Sequence, residues 1–198
     1  MPTGVAIRDV REQLFRAAER VLLRAGPNAL TSRAVTAEAG CAKGVLHRHF
    51  ADFDAFLVDL VRDRVAGLDA RSAALRASAG TGTVAGNVRE ALSDLFGSVA
   101  LAIVGLIASR DVLRARLRAT SPAGVPLLTE AGAMLAVYLD AEREVGRLAG
   151  DADTDTLALT LIGAGHLLFA GLEGVAPDAD AVHKVVAGVL AGVVREAG

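Results

Sequence analysis

The sequence predicts an all-α fold, with an N-terminal three-helix domain that contains a helix-turn-helix and a larger helical bundle behind it. Three observations carry that expectation. Apolar residues recur at three- and four-residue spacing through most of the 198 residues, the period of helices with one buried stripe. Glycine and proline sit between those stretches, where they end helices. No segment shows the sustained alternation of β-branched residues that marks strands, and there is no internal repeat.

The first helix has Val10, Leu14, Ala17, Ala18, Val21, Leu22 and Ala25 on one stripe, with arginines and glutamates opposite, and stops at Gly26-Pro27. The second starts at Thr31, a good N-cap, and runs two turns to Gly40, a natural left-handed helix end. After Gly40-Cys41-Ala42 comes Lys43 to Phe50, in which Leu46 and Phe50 lie four apart and face inward together. Two short helices joined by a tight glycine turn make a helix-turn-helix. A long amphipathic helix is expected from Asp52 to about Ala79, broken by Gly-Thr-Gly-Thr at 80 to 83. Further helices are expected at about 84–108, 109–119, 124–148, 153–174 and 178–196.

Hydrophobic residues make up 53% and charged residues 22% of the chain, the balance of a packed globular protein. Cys41 is the only cysteine, so neither an intrachain disulfide nor a four-thiolate zinc site is available, four scattered His residues do little for a metal site, and a small apolar role in the turn suits the cysteine best. Arg and Asp near the N-terminus interrupt any secretion signal, so the cytoplasm is the expected compartment. The uncharged stretches 95–109 and 156–172 fall short of the roughly 20 apolar residues of a membrane span or carry polar residues and glycines, so no membrane partner is expected.

Charge is unevenly placed. Residues 1–50 hold eight basic groups against four acidic ones, so the remaining 148 residues carry −6 of the net −2. A basic end on an acidic body fits a protein that offers one face to a polyanion, and equally a solvated helix face.

Residues 30–50, LTSRAVTAEAGCAKGVLHRHF, preceded by an amphipathic helix ending at Gly26, resemble the TetR family of transcriptional regulators. The motif covers about residues 8–60; the rest matches only as a helical body of suitable length. The resemblance implies a homodimer with a DNA-binding domain at 1–51 and an effector-binding and dimerisation domain at 52–198. It implies double-stranded operator DNA and a small-molecule effector as partners, with repression relieved when the effector binds. The expected DNA-binding residues are Ser32, Arg33, Ala42, Lys43, Gly44, Val45, His47, Arg48 and His49. Lys43, Gly44 and Val45 open the recognition helix, where a cation reaches a guanine edge or a phosphate, glycine admits the backbone and valine meets a thymine methyl. Ser32 and Arg33 match backbone-contacting positions at a positive helix end, and Arg48 and His49 fall at the rim.

Three departures from the family pattern matter. His47 stands where a phosphate-contacting Tyr is usual. Ala42 replaces a capping Ser or Thr, at a cost of about 1 kcal/mol. Asp54 replaces a Lys at the start of the fourth helix, where it repels phosphate. These three motivate an alternative reading, a helical dimer that binds a protein or a small molecule with DNA binding weakened or lost.

In the body, Phe96, Val99, Ile103, Leu106, Met134, Val137, Tyr138, His166 and Phe169 are the expected lining of an effector pocket. With one Tyr and no Trp, that pocket is expected to take a largely hydrophobic ligand with one or two polar groups. The resemblance implies that the last two helices pair across a dimer, with Leu161, Gly165, Leu168, Leu172, Val182, Val186, Val189, Leu190 and Val193 at the interface.

No enzyme is expected. The chain has no GxxxxGK[ST], GxSxG or HExxH, and GTGTVAG at 80–86 has the wrong spacing for a dinucleotide loop. Asp180 and His183 form a single three-apart pair, where a di-iron bundle needs two such pairs and further carboxylates. No catalytic residue, metal or cofactor is expected.

Overall fold

The computed structural model describes residues 4–97, 99–120, 124–171 and 177–195. Among them every long regular element is an α-helix: α1 (Gly4–Ala25), α2 (Ser32–Glu38), α3 (Gly44–His49), α4 (Phe53–Ala66), α5 (Leu68–Ala77), α6 (Val84–Phe96), α7 (Ala100–Ser109), α8 (Asp111–Arg118), α9 (Leu128–Glu144), α10 (Thr154–Ala170) and α11 (Ala179–Leu190). Among the described residues no single helix is long and apolar enough to cross a membrane.

Several helices are shorter than the periodicity predicts. The expected helix from Asp52 to Ala79 is two, α4 and α5, separated at Gly67, whose missing side chain weakens a helix interior. The expected 84–108 helix ends at Phe96, where the Gly97 N–H still bonds to the Ser93 carbonyl and α7 starts afresh at Ala100. α9 begins at Leu128 rather than 124, because Gly124 and Leu127 both take φ 73; the Leu127 N–H is then met by the Glu130 carboxylate at 2.7 Å. α11 stops at Leu190, short of 196, since Gly192 at φ 80 turns the chain and Val194 bridges antiparallel to Leu148.

The chain forms two compact units. The first is Met1–Arg64 with Ala102–Ala123; the second is Val65–Leu101 with Gly124–Gly198. Two of the three crossings fall inside helices, in α4 and in α7, and the third falls between α8 and α9. The segment containing α8 joins the first unit although it lies far along the chain from the helix-turn-helix.

The first unit is built on an aromatic cluster. Phe15, Phe50 and Phe56 meet at centroid distances of 5.0 to 5.9 Å, with Phe50 edge-on to Phe56. Edge-on and tilted geometry is what ring quadrupoles favour. Leu14, Leu22, Leu30, Leu46, Leu60, Ile103 and Leu113 complete the core. Arg11 lies 4.5 Å over the Phe50 ring and pairs with Asp59 at 2.8 Å, fixing the end of α3 against α1 and α4.

In the second unit α5 packs on α9, α9 on α10, and both α10 and α11 on α6. Its core takes Val88, Leu92, Leu95, Phe96, Leu135, Leu139, Leu161, Val182 and Val186. Thr83 caps α6 and Asp153 caps α10, each side chain accepting a backbone N–H of the first turn.

Candidate nucleic-acid interface

The helix-turn-helix forms where local chemistry puts it. Thr31 accepts the Ala34 N–H at 3.1 Å to start α2. Gly40, at φ 65, ends it, with its own N–H on Ala37 and that of Cys41 on Thr36. Leu46 and Phe50 are buried as their spacing requires. α3 opens with no side-chain cap, and its capping position is Lys43 rather than the expected Ala42.

That packing leaves a polar outer face. Arg33, Ala42, Lys43, Gly44, His47 and Arg48 are exposed, while Val45 and His49 are half-buried. A Cβ added at Gly44 meets nothing within 4 Å among the described residues, so none of them calls for glycine there. Ser32 is the exception in this group: its hydroxyl oxygen is buried and without a hydrogen-bond partner among the described residues. In this rotamer a phosphate cannot reach it.

The remaining cations of the first unit are largely spent within it. Arg20 and Arg24 both bind Glu38, at 2.7 and 2.8 Å, and the Arg20 bond leads in holding that carboxyl below its ordinary range. Arg64 binds Glu19, Arg16 binds Glu12, and Arg114 binds Asp111. Among the described side chains of this unit, Arg33, Lys43, Arg48 and Arg118 are the arginines and lysines with neither a carboxylate nor a carbonyl partner. Three of those four lie on the helix-turn-helix.

The sequence reading missed two contacts that fix this unit. Arg110 donates to the Leu30 carbonyl at 2.5 Å, just ahead of α2, and stands 5.5 Å over the Phe53 ring. Arg116 donates through both terminal nitrogens to the two oxygens of Asp52, at 2.8 and 2.9 Å. The partners are 80 and 64 residues apart, and no spacing rule links them.

In the second unit the residues expected around a pocket are mostly core. Phe96, Met134, Tyr138 and Phe169 are buried, Val99 and His166 half-buried and Val137 exposed; Ile103 and Leu106 belong to the core of the first unit. Phe96 touches both His166 and Phe169, at centroid distances of 6.1 and 5.6 Å. A cleft of about 280 Å³ lies instead among α5, α6 and α9, and of the expected residues Met134 lines it. Leu75, Ala91 and Leu95 supply its apolar wall, and Arg71, Glu90 and Asp94 its charges.

The stripe expected at a dimer interface is also largely internal. Leu161, Gly165, Val182, Val186 and Leu190 are buried within the unit, and Leu168, Val189 and Val193 are half-buried. Leu172 lies outside the described residues. Gly165 does allow a close approach, but to α6 of the same chain: a Cβ there would stand 2.9 Å from Phe96. The outer side of α10 carries Leu159 and Leu167, which are 72% and 74% exposed.

A polar knot invisible to pattern reading sits beside this core. Glu142 is fully buried and accepts from the Tyr138 hydroxyl at 2.5 Å and the Gly80 N–H at 3.1 Å, with Arg147 at 3.4 Å. Asn87 donates to the Tyr138 oxygen at 2.9 Å. Burial, and then the Glu142 carboxylate, push the Tyr138 phenol well above its ordinary range.

Residues 14–60 match the family model for bacterial regulatory proteins of the tetR family. No curated protein sequence matches the chain. Among solved structures, a TetR-family transcriptional regulator from Agrobacterium tumefaciens is similar over 96% of this chain and 100% of its own, at 15% identity and a TM-score of 0.70. The reduced form of NemR from Escherichia coli covers 95% and 99%, at 16% identity and 0.74. The multidrug binding protein EbrR, complexed with imidazole, covers 95% and 96%, at 20% identity and 0.61. The tetR-family signature is therefore in the N-terminal segment, and the fold of the whole chain is that of TetR-family regulators.

Proposed function

We propose that this chain, whose N-terminal segment is of the tetR family, is a dimeric, ligand-responsive DNA-binding regulator of the cytoplasm. The observation that carries the reading is the pattern of unspent charge. A unit that pairs most of its described arginines internally, yet leaves Arg33, Lys43 and Arg48 free on one helix-turn-helix and only Arg118 free elsewhere among its described side chains, has kept cations for an outside anion. Lys43, Gly44 and Val45 read bases from the start of α3, and Arg33, His47, Arg48 and His49 hold the phosphates on either side. Ala42 belongs to the same face, and Ser32 takes part only after its hydroxyl turns outward.

The second unit is the effector-binding part, with residues after about 51 following the DNA-binding domain in sequence. The cleft of about 280 Å³ suits a small effector with an apolar body and one or two polar groups, since apolar Leu75 and Met134 line it together with Arg71, Glu90 and Asp94. The EbrR complex is a precedent for small-molecule binding in this fold. Effector binding releases the protein from its operator, because it favours a spacing of the two recognition helices that no longer fits successive half-sites. The protein has no enzymatic role in this reading.

Selection of duplexes from a random-sequence pool by the purified protein tests the proposal. A shared two-fold motif bound by two protomers, with affinity falling steeply with salt, is the expected result. Recovery of no sequence above background would favour the alternative, a helical dimer that has lost useful DNA affinity, for which Asp54, His47 and Ala42 speak.

A further inference from the structure

Asp52 opens α4 by accepting the Ala55 N–H at 2.6 Å, and it lies two residues past Phe50, the C-terminal cap of α3. At 3.8 Å per residue along the backbone, no more than about 8 Å of chain separates it from the end of the recognition helix. Asp54 follows in the first turn of α4. Two carboxylates thus stand where a helix seated in the major groove is flanked by phosphates. At that range a negative charge acts on the DNA backbone inside one Debye length, about 10 Å at 0.1 M salt.

Asp52 does not lose this charge by protonation. The bonds from Arg116, and then the Ala55 N–H, hold its carboxyl at about 2, so it is ionised at any pH of biological interest. Arg116 is the cation that faces it, reaching across from α8 with both terminal nitrogens on the two carboxylate oxygens. Arg116 also feels the Asp54 charge. The pair is open to solvent, at 40% and 50% side-chain exposure, and exposed pairs of this kind add little to folding. Its consequence lies in the local field.

We propose that Arg116 is a positioning residue for DNA binding: by clamping Asp52 it cancels the carboxylate beside the recognition helix that would otherwise repel the phosphate backbone. This rests on the DNA-binding reading above. The assignment gives a role to the bidentate pairing of Arg116 with Asp52 and to the inclusion of the α8 segment in the same compact unit as the helix-turn-helix. It also makes the seating of α8 matter for affinity, since withdrawing Arg116 exposes the carboxylate.

The test compares the wild-type chain with Arg116→Met, Arg116→Lys, Asp52→Asn and the Arg116→Met/Asp52→Asn double variant. Each is titrated at several salt concentrations against a duplex that the wild-type protein has selected from a random pool. Asparagine caps a helix as well as aspartate does, so Asp52→Asn removes charge and keeps the start of α4. Arg116→Met is expected to bind roughly threefold to tenfold more weakly at 0.1 M salt. The double variant is expected to recover the affinity of Asp52→Asn alone, and Arg116→Lys to fall between wild type and Arg116→Met. Circular dichroism melting of each variant separates a loss of fold from a loss of affinity. An unchanged Arg116→Met overturns the proposal. So does a loss that Asp52→Asn fails to restore, which would put Arg116 on phosphate directly. If the wild-type chain selects no duplex, the DNA-binding reading itself falls and takes this proposal with it.

Discussion

Tyr138 donates its phenolic hydrogen to Glu142 at 2.5 Å, one turn further along α9, and both side chains are fully buried. A buried carboxylate is tolerated because donors surround it, here the phenol, the Gly80 N–H and Arg147. Glu142→Ala strips the acceptor from all three, and a loss of about 3 kcal/mol in denaturant unfolding is expected. The phenol offers a second readout, since the chain has one Tyr and no Trp. Its folded-state value is raised above the unfolded one. Its stabilising contribution is therefore complete below about pH 10 and disappears as pH climbs through the folded value. Phenolate absorbance should rise only at strongly alkaline pH, together with unfolding, and Glu142→Gln should lower that midpoint by removing the neighbouring negative charge.

How much of this was open to sequence reading depended on how local the cause was. The helix-turn-helix was legible because Thr31, Gly40, Leu46 and Phe50 act within one or two turns, and each stands where its chemistry predicts. Helix lengths were less so: Gly67 and Gly97 lie inside apolar stripes that continue on either side, and periodicity does not show that the helix breaks there. Long-range partnerships were closed to it. Arg110 with Leu30, Arg116 with Asp52 and Glu142 with Gly80 join residues 62 to 80 positions apart, and only the folded chain brings them together. The stripe on α10 and α11 shows the same limit, since periodicity reveals that a face is apolar but not whether its own chain or a second copy covers it.

Lys43 and Arg48 should differ in what their loss does to DNA binding. Lys43 stands exposed at the opening of α3, and Arg48 is exposed near its end. Lys43→Ala is expected to cost about 1 to 3 kcal/mol and to relax preference at one base position. Arg48→Ala should weaken all sequences alike and lower the slope of log affinity against log salt by about one. Titrations against matched and single-mismatch duplexes at three salt concentrations separate these patterns, and identical behaviour of the two variants would contradict the division of roles.

Gly165 is required by packing inside one protomer. A Cβ at this position would lie 2.9 Å from Phe96 and 3.3 Å from Leu92 on α6. Alanine would gain up to about 1 kcal/mol of helix propensity, which offsets part of that crowding. Gly165→Val adds bulk with little of the gain, and a destabilisation of about 1 to 3 kcal/mol is expected in denaturant unfolding. Monomer stability should fall at protein concentrations too low for any self-association, which distinguishes this from an interface defect.

Leu167 and Leu159 bear on the proposed dimer. Eight residues apart on α10, with exposed Gly163 midway, they form a two-turn apolar ridge that the chain's own core leaves uncovered. On α11, Ala187 and Gly188 are exposed and small, as is Ala191 just past its end. A ridge of leucines beside a surface of small residues is self-complementary under two-fold symmetry, where each patch must meet its own copy. Leu167→Glu would bury a charge without a partner at such a contact. Sedimentation should show self-association weakened by roughly tenfold to a hundredfold, the range of a central apolar anchor. Because Leu167 points away from the protomer core, thermal stability at low concentration should barely change. DNA affinity should drop with the dimer, as one helix-turn-helix cannot span two half-sites. A Leu167→Glu protein that stays dimeric and binds DNA as before would place the subunit contact on another face of the second unit.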